Sequence, residues 1–521
     1  MMCRFCGKKR ELIMSRVENA SRNVIFGILL KGYQVILPFI IRTVMLYYMG
    51  IEYLGLNSLF GSILWVLNLA ELGVGSAMVY SMYQPIIDKD AEQICALLKL
   101  YRTYYRVIGG IIAVVGLAIT PFIPYLIKSD AEVPGDVSIY VVYLLNLFCT
   151  VISYWLFAYK NSLLVAHQRN DISSKVTIAT NTILYGAQIL IIIFLKDYYI
   201  YLIASIVTQI INNIIVAYCA KKMYPEYEPA GELDKETKKK ITQRIKDLFT
   251  MKLGNVIVST ADSIVISIFL GLTVLGIYNN YYYIITAVMS IVKVFFVSAM
   301  AGIGNSILVE TEEKNYVDLK KFTFIIAWIT GFCSVCLLCL YQPFMKIWTG
   351  EDLLLGFSAV VCFVLYFYVD QFNQLFLTYK DAAGIWHEDR FRPITTALVN
   401  LALNIILVQF IGIYGVLLST VLSMVFVGMP WVLYNLFTTV FSKGIRKYVI
   451  RIVLYTFVTV IVATITYLAC SFIPDGGFFM LIVKMIVAAV VSNLLFFIAY
   501  FRLEEFKQTK TMVKRIIFKK S

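Results

Sequence analysis

Charge is what this sequence is short of. Only 15% of its 521 residues are Asp, Glu, Lys or Arg, against about 25% in an ordinary soluble domain, which excludes a water-soluble fold. Histidine is scarcer still. The two present, His167 and His387, supply no nucleophile–base constellation, and each follows a cytoplasmic span end, where it reads as a helix-end feature. Neither a Walker A loop nor an HExxH pair occurs, so the commonest nucleotide-hydrolysing and zinc-peptidase chemistries are out. Cys3 and Cys6 form a CxxC with no second pair, short of a zinc motif. Long polar loops are missing too: the longest connector on the outer side, 128–138, is about 11 residues. A membrane glycosyltransferase or polysaccharide polymerase is expected to carry acids or arginines in a large outer loop, so an enzyme is not expected here.

What is present is hydrophobic length. Apolar residues make up 60% of the chain and mean hydropathy is +0.78. A helix needs about 20 apolar residues to cross hydrocarbon. By that measure about fourteen spans are expected, at 23–48, 54–80, 103–127, 139–163, 173–195, 198–220, 248–270, 274–300, 322–347, 355–379, 393–411, 413–438, 448–472 and 478–501. The polar, basic stretch 1–22 has no secretory-signal pattern, and Met14 is an alternative start. The segment 83–100 has spaced apolar residues and is expected as an interfacial amphipathic helix. Cys333, Cys336 and Cys339 recur every third residue within one span, a packing pattern.

The net charge of +14 is a topology signal. Of the Lys and Arg residues, only Lys128, Lys196 and Lys346 fall in the loops opposite the termini, and Lys31, Arg42, Lys293 and Lys484 lie within spans. The rest flank the terminal side, which places both termini in the cytoplasm. Attraction to anionic lipid is a secondary effect. No basic face with interleaved aromatics suggests nucleic acid.

The sequence also repeats. At an offset of 221, MGIEYLGLNSLFGSI (49–63) aligns with LGLTVLGIYNNYYYI (270–284), pairing Gly50 with Gly271, Leu54 with Leu275 and Gly55 with Gly276. At an offset of 220, YKNSLLVAH (159–167) aligns with YKDAAGIWH (379–387). The unit is six spans, an even number that preserves orientation, so a pseudo-two-fold axis along the membrane normal is expected. The expected division is a leader at 1–22, a first lobe at 23–220, a linker at 221–247, a second lobe at 248–440, two added helices at 441–501 and a basic tail at 502–521.

Charges inside spans carry the function, because each costs about 3 kcal/mol at membrane depth. Lys31 and Arg42 in the first span are 11 residues apart, roughly 16 Å along one helix face, with Pro38 between them to bend it. They suit a phosphate-bearing substrate, Arg42 by bidentate geometry; the plainer reading is that both snorkel to an interface. Lys252 aligns with Lys31, Ser263 stands where Arg42 would be, and Lys293 is a further cavity candidate. Lys484 reads as snorkelling. Glu71, Asp262 and Asp370 must pair, bind a cation or hold a proton. They are candidates for Na⁺ or H⁺ coupling, for neutralising Lys31 and Arg42 in one state, or for static pairs. Asn57, Asn279, Asn280, Asn373 and Gln374 are sugar-contact candidates, though such residues also bond between helices without further role.

Two six-helix lobes in parallel duplication, two extra helices and a first-span arginine resemble the polysaccharide-export branch of the multidrug/oligosaccharidyl-lipid/polysaccharide (MOP) superfamily, and most nearly the Wzx-type oligosaccharide flippases. SRNVIFGILLKG (21–32), LGLNSLFGSILWVLNLAELGVGSAM (54–78) and LGIYNNYY (275–282) carry the likeness. It implies an all-α polytopic membrane protein of about 14 transmembrane helices with a MATE/MurJ-like fold. It also implies an antiporter-type flippase in the bacterial cytoplasmic membrane, moving undecaprenyl-diphosphate-linked oligosaccharide by alternating access. Cofactors are not expected beyond a coupling Na⁺ or H⁺. Expected partners are the lipid-linked oligosaccharide, membrane lipids and other polysaccharide-assembly proteins, with the chain a monomer. A MATE-like exporter of cationic cargo is the alternative, disfavoured by the first-span cations and the extra helices. A channel suits duplicated lobes less well.

Overall fold

A computed structural model describes residues 26–27, 29–71, 73–128, 133–441 and 444–518, so Cys3, Cys6 and Met14 lie outside the described residues. Those described residues form helices and connectors with no strand. In order the helices are α1 (Leu29–Tyr48), α2 (Ile51–Leu67), α3 (Val74–Asp88), α4 (Ala91–Ile119), α5 (Ile139–Trp155), α6 (Asn161–Ala166), α7 (Asn170–Leu190), α8 (Tyr198–Met223), α9 (Lys235–Phe269), α10 (Leu272–Val309), α11 (Glu312–Thr349), α12 (Phe357–Ala382), α13 (Arg392–Ile411), α14 (Ile413–Ser423), α15 (Met429–Thr439), α16 (Ile445–Ser471), α17 (Gly477–Tyr500) and α18 (Glu504–Phe518). Among the described residues twelve helical stretches are long and apolar enough to cross a membrane, or thirteen counting α5 with Ala158–Ala166, bent by 48°.

Each expected span has a counterpart, with deviations at particular residues. Span two, expected as one helix over 54–80, is broken. After α2 the chain tightens into a 3₁₀ turn, Asn68–Glu71, and α3 starts beyond Gly73 at φ 92°. A Cβ at Gly73 would stand 2.6 Å from the Leu248 Cβ, so close approach and left-handed backbone both demand glycine there. The interfacial helix expected over 83–100 does not exist as a unit. Its first residues finish α3, Lys89 turns the chain at φ 57°, and Asp90 caps α4 by accepting from the Gln93 amide at 2.9 Å; a strong N-cap outcompetes continuation. The stretch 221–247 is mostly helical, with Lys221–Met223 closing α8 and α9 opening at Lys235.

The chain divides into two compact units. The first holds residues up to Val256 together with Gly271–Gly276, and the second holds Ile257–Leu270 and Ile277 onward. In the first, α4 packs on α3 and α5, and α8 on α5 and α7. In the second, α11 packs on α12, α16 and α17, while α14 packs on α12 and α13. Large apolar side chains stay exposed along the spans, Val114, Phe194, Phe410 and Phe426 among them. In water this surface would be an aggregation liability; against acyl chains it is the solvated face.

The repeat is visible inside the first unit. Gly50 (φ 119°) and Gly271 (φ 96°) both adopt left-handed backbone immediately before a helix. A Cβ on Gly55 would lie 2.3 Å from the Leu272 carbonyl oxygen, and one on Gly276 would lie 2.6 Å from that of Ile51. Positions 51 and 272 are themselves partners at the offset of 221. The contact is therefore reciprocal, as a two-fold relation requires. The second matched stretch leads in each unit to a buried acid: Asp171 with Arg169 at 3.0 Å and Lys175 at 3.2 Å, and Asp389 with Arg392 at 2.7 Å and Lys380 at 3.4 Å. His167 sits against the Tyr224 ring at 4.1 Å, where burial pulls its pKa down, and His387 is exposed.

Candidate functional site

The break in span two builds the main polar feature of the first unit. Ending the helix at Glu71 swings its carboxylate toward α4 and α5. One oxygen accepts the Tyr105 hydroxyl at 2.6 Å and the other accepts that of Tyr154 at 3.0 Å. Tyr101 donates to Tyr105 at 2.7 Å, and the Tyr154 hydroxyl also lies 3.2 Å from Asn68 Oδ1. Gly75 leaves the space beside this group open; a Cβ there would meet the Tyr101 hydroxyl at 3.2 Å.

That space continues as a cavity of about 750 Å³ bounded by α3 to α8, within the range of about 300–1,000 Å³ usual for organic ligands. Tyrosines line it together with Asn161, Gln209, Asn212 and Asn213. Their amides are oriented. Gln209 donates to Asn213 at 3.0 Å, Asn213 donates to the Ser153 carbonyl at 3.0 Å, and Asn161 accepts from Ser173 at 2.5 Å. Fixed hydroxyls, amides and aromatic faces in an apolar chain are the chemistry of a polyhydroxylated ligand.

The second unit holds the other two carboxylates. Asp262 on α9 accepts from Asn404 at 2.7 Å, Tyr278 at 3.2 Å and Thr420 at 3.5 Å. Asn404 is set by Ser419, which donates to it at 2.5 Å, and its amide approaches Asn400 Oδ1 at 3.4 Å. The hydrogen-bond partners of Asp262 are all neutral. Asp370 on α12 accepts from Gln371 at 3.1 Å and is in electrostatic range of Lys293, so these two site candidates do come together. Tyr282 feels both carboxylates and stacks with Tyr278 at 5.6 Å and Tyr366 at 6.2 Å.

The first-span cations are placed differently from each other. Lys31 is exposed on α1, which continues helical through Pro38, whereas Arg42 is half-buried and in electrostatic range of Tyr201. Lys252 is half-buried on α9 and Lys293 is exposed on α10. Lys484, buried on α17, reaches back to Asp475 at 2.5 Å near the end of its span. Glu71 meets tyrosines. Among the sugar-contact candidates, Asn280 and Asn373 are buried. Cys339 is buried, and Cys333 and Cys336 are partly so, all three as free thiols.

Sequence reasoning missed the cavity wall. Tyr101 and Tyr105, and likewise Gln209 and Asn213, stand at i, i+4 within spans, and that spacing on one helix face was the available signal.

The model of the polysaccharide biosynthesis protein family matches residues 20–301. No curated relative matches the chain. Among solved structures, the lipid II flippase MurJ in an inward closed conformation is similar with a TM-score of 0.68 at 16% identity, over 92% of this chain and 99% of that one. An inward-facing multidrug resistance MATE family transporter of the MOP superfamily is similar at 0.58 and 12%, over 77% and 93%. The Vibrio cholerae MATE transporter VcmN is similar at 0.52 and 14%, over 83% and 99%. At these identities the likeness is one of fold.

Proposed function

The chain belongs to the polysaccharide biosynthesis protein family, with the fold of MOP-superfamily transporters, and from that premise we propose that it flips undecaprenyl-diphosphate-linked oligosaccharide units across the bacterial cytoplasmic membrane. The observation that carries this reading is the cavity of the first unit, with its oriented amides and tyrosine hydroxyls. Such a lining exchanges hydrogen bonds with sugar hydroxyls that would otherwise lose theirs on leaving water. The lipid tail needs no such site, since it stays in hydrocarbon throughout.

Under this proposal Arg42, with Lys31, Lys252 and Lys293, meets the diphosphate as it passes mid-membrane. The lysine and arginine distribution supports cytoplasmic termini. Alternating access between the lobes moves the head group, the chain acts as a monomer, and no bond is made or broken. The MATE-type reading, a small-molecule exporter, shares the fold but leaves the first-span cations without a role.

Coupling to Na⁺ or H⁺ falls first to Asp262, whose hydrogen-bond partners are all neutral, and only second to Asp370, which has Lys293 in electrostatic range. A carboxylate surrounded by neutral donors at membrane depth must gain a proton or a cation to balance its charge. Asp262→Asn keeps the side-chain size, removes the charge and turns one of the two accepting oxygens into a donor. In proteoliposomes loaded with an undecaprenyl-diphosphate disaccharide, translocation should drop by about tenfold or more and stop responding to a Na⁺ or pH gradient. An unchanged gradient response removes Asp262 from coupling, and no translocation by the native chain defeats the flippase reading.

A further inference from the structure

The charge of the first-unit cavity is one-sided. Glu71 is the one ionisable acid among the described residues lining it, and that lining contains no Lys, Arg or His. The carboxylate is steadied by two tyrosine hydroxyls, which are neutral donors. A carboxylate offers about four acceptor positions, so two hydroxyls leave it capacity for a ligand. Arg244 stacks on the ring of Tyr80 at 4.2 Å and is not part of the lining.

Three properties narrow what such a cavity takes. At about 750 Å³ it is far larger than a bare ion needs. Among the described residues no group of three or more His, Cys, Asp or Glu could hold a metal. The lining also brings Tyr80, Tyr83, Tyr101, Tyr105 and Tyr154 around the same space as the carboxylate. Aromatic faces beside an acid are the physical recipe for an organic ammonium group, which gains attraction from the ring quadrupoles and from the anion together. A diphosphate is repelled by the same lining, and the basic side chains proposed for it lie elsewhere, on α1, α9 and α10.

We infer that the saccharide unit carried by this protein bears a positively charged nitrogen, a free amine or a quaternary ammonium substituent, and that Glu71 with the surrounding tyrosines selects it. The inference rests on the flippase reading and adds to it the class of head group. The cargo is then zwitterionic, with an anionic diphosphate at one end and an ammonium at the other, and the two charges are met by different parts of the chain.

Binding separates the inference from transport. Purified full-length protein in detergent is titrated calorimetrically with methyl glucosaminide, with its N-acetyl counterpart, and with tetramethylammonium. The free amine should bind about tenfold more tightly than the N-acetyl form, and Glu71→Gln should bring that ratio to about one. Tetramethylammonium competing as well as the free amine identifies a quaternary substituent; weaker competition identifies a primary amine. Equal binding of the two sugars to the native chain overturns the inference. In parallel, proteoliposomes carry undecaprenyl-diphosphate disaccharides with a free or an acetylated amine, read out by impermeant periodate. Equal movement of both defeats the head-group inference while leaving the flippase reading intact. A binding preference without movement of either lipid defeats the flippase reading instead.

Discussion

Gly55→Val should leave almost no correctly folded protein in the membrane, whereas Gly61→Val on the same helix should be well tolerated. A Cβ at position 55 would lie 2.3 Å from a backbone oxygen of Leu272, and at position 61 nothing stands within 4 Å. The obstacle at Gly55 is main chain, so no rotamer change relieves it. The start of α10 must move away from α2, which also breaks the reciprocal contact of Gly276 with Ile51. Overpacking that a side chain can accommodate costs about 1–3 kcal/mol; one that separates two backbones sits at or beyond the top of that range. Close backbone approach through small residues is also a main source of helix association in lipid, where no hydrophobic drive exists. The measurement is the fraction of detergent-extracted protein that elutes as a single symmetric species. Equal elution of the two variants would mean that the crossing is not this tight.

Arg42→Ala should abolish polymer export at normal protein level, and Arg42→Lys should recover only part of it. Arg42 is half-buried and in electrostatic range of Tyr201, so its guanidinium is not freely solvated. A planar fork can hold a phosphate with two parallel bonds, which an ammonium cannot reproduce. Losing a charge-assisted pair of this kind costs about 3 kcal/mol, roughly a hundredfold in rate. Lys31, exposed on the same helix, should show a smaller loss on the corresponding Lys31→Ala change. Surface polysaccharide on cells carrying each variant, normalised to protein in the membrane, decides the matter. Full export by Arg42→Ala would take the residue out of the mechanism.

How legible these features were depends on the range of the interactions that make them. Spans are legible because burial in hydrocarbon is decided residue by residue: each stretch of about 20 apolar residues recurs as helix, although the second and fourth are broken and α4, α9 and α11 begin ten or more residues ahead of the expected starts. The repeat was legible for the same local reason. Gly50 and Gly271 each need left-handed backbone, a property of one residue that survives when side chains around it diverge. Glu71, Asp262 and Asp370 stood out because an acid within an apolar run is costly wherever the run ends up.

Partnership was not legible. Glu71 read as a possible mate for Lys31 or Arg42, yet its hydroxyl donors are Tyr105 and Tyr154, more than thirty positions away. Tyr278, Asn404 and Thr420 converge on Asp262 from three different helices. The break at Gly73 depended on Leu248 arriving from α9, and nothing near residue 73 announces that neighbour. Composition and periodicity therefore established the membrane class, the spans and the duplication, since those follow from hydrophobicity and backbone preference along a single stretch. The cavity, the surroundings of each acid and the placing of each cation were settled only by helix packing, because a contact between distant residues has no energy until the chain has brought them together.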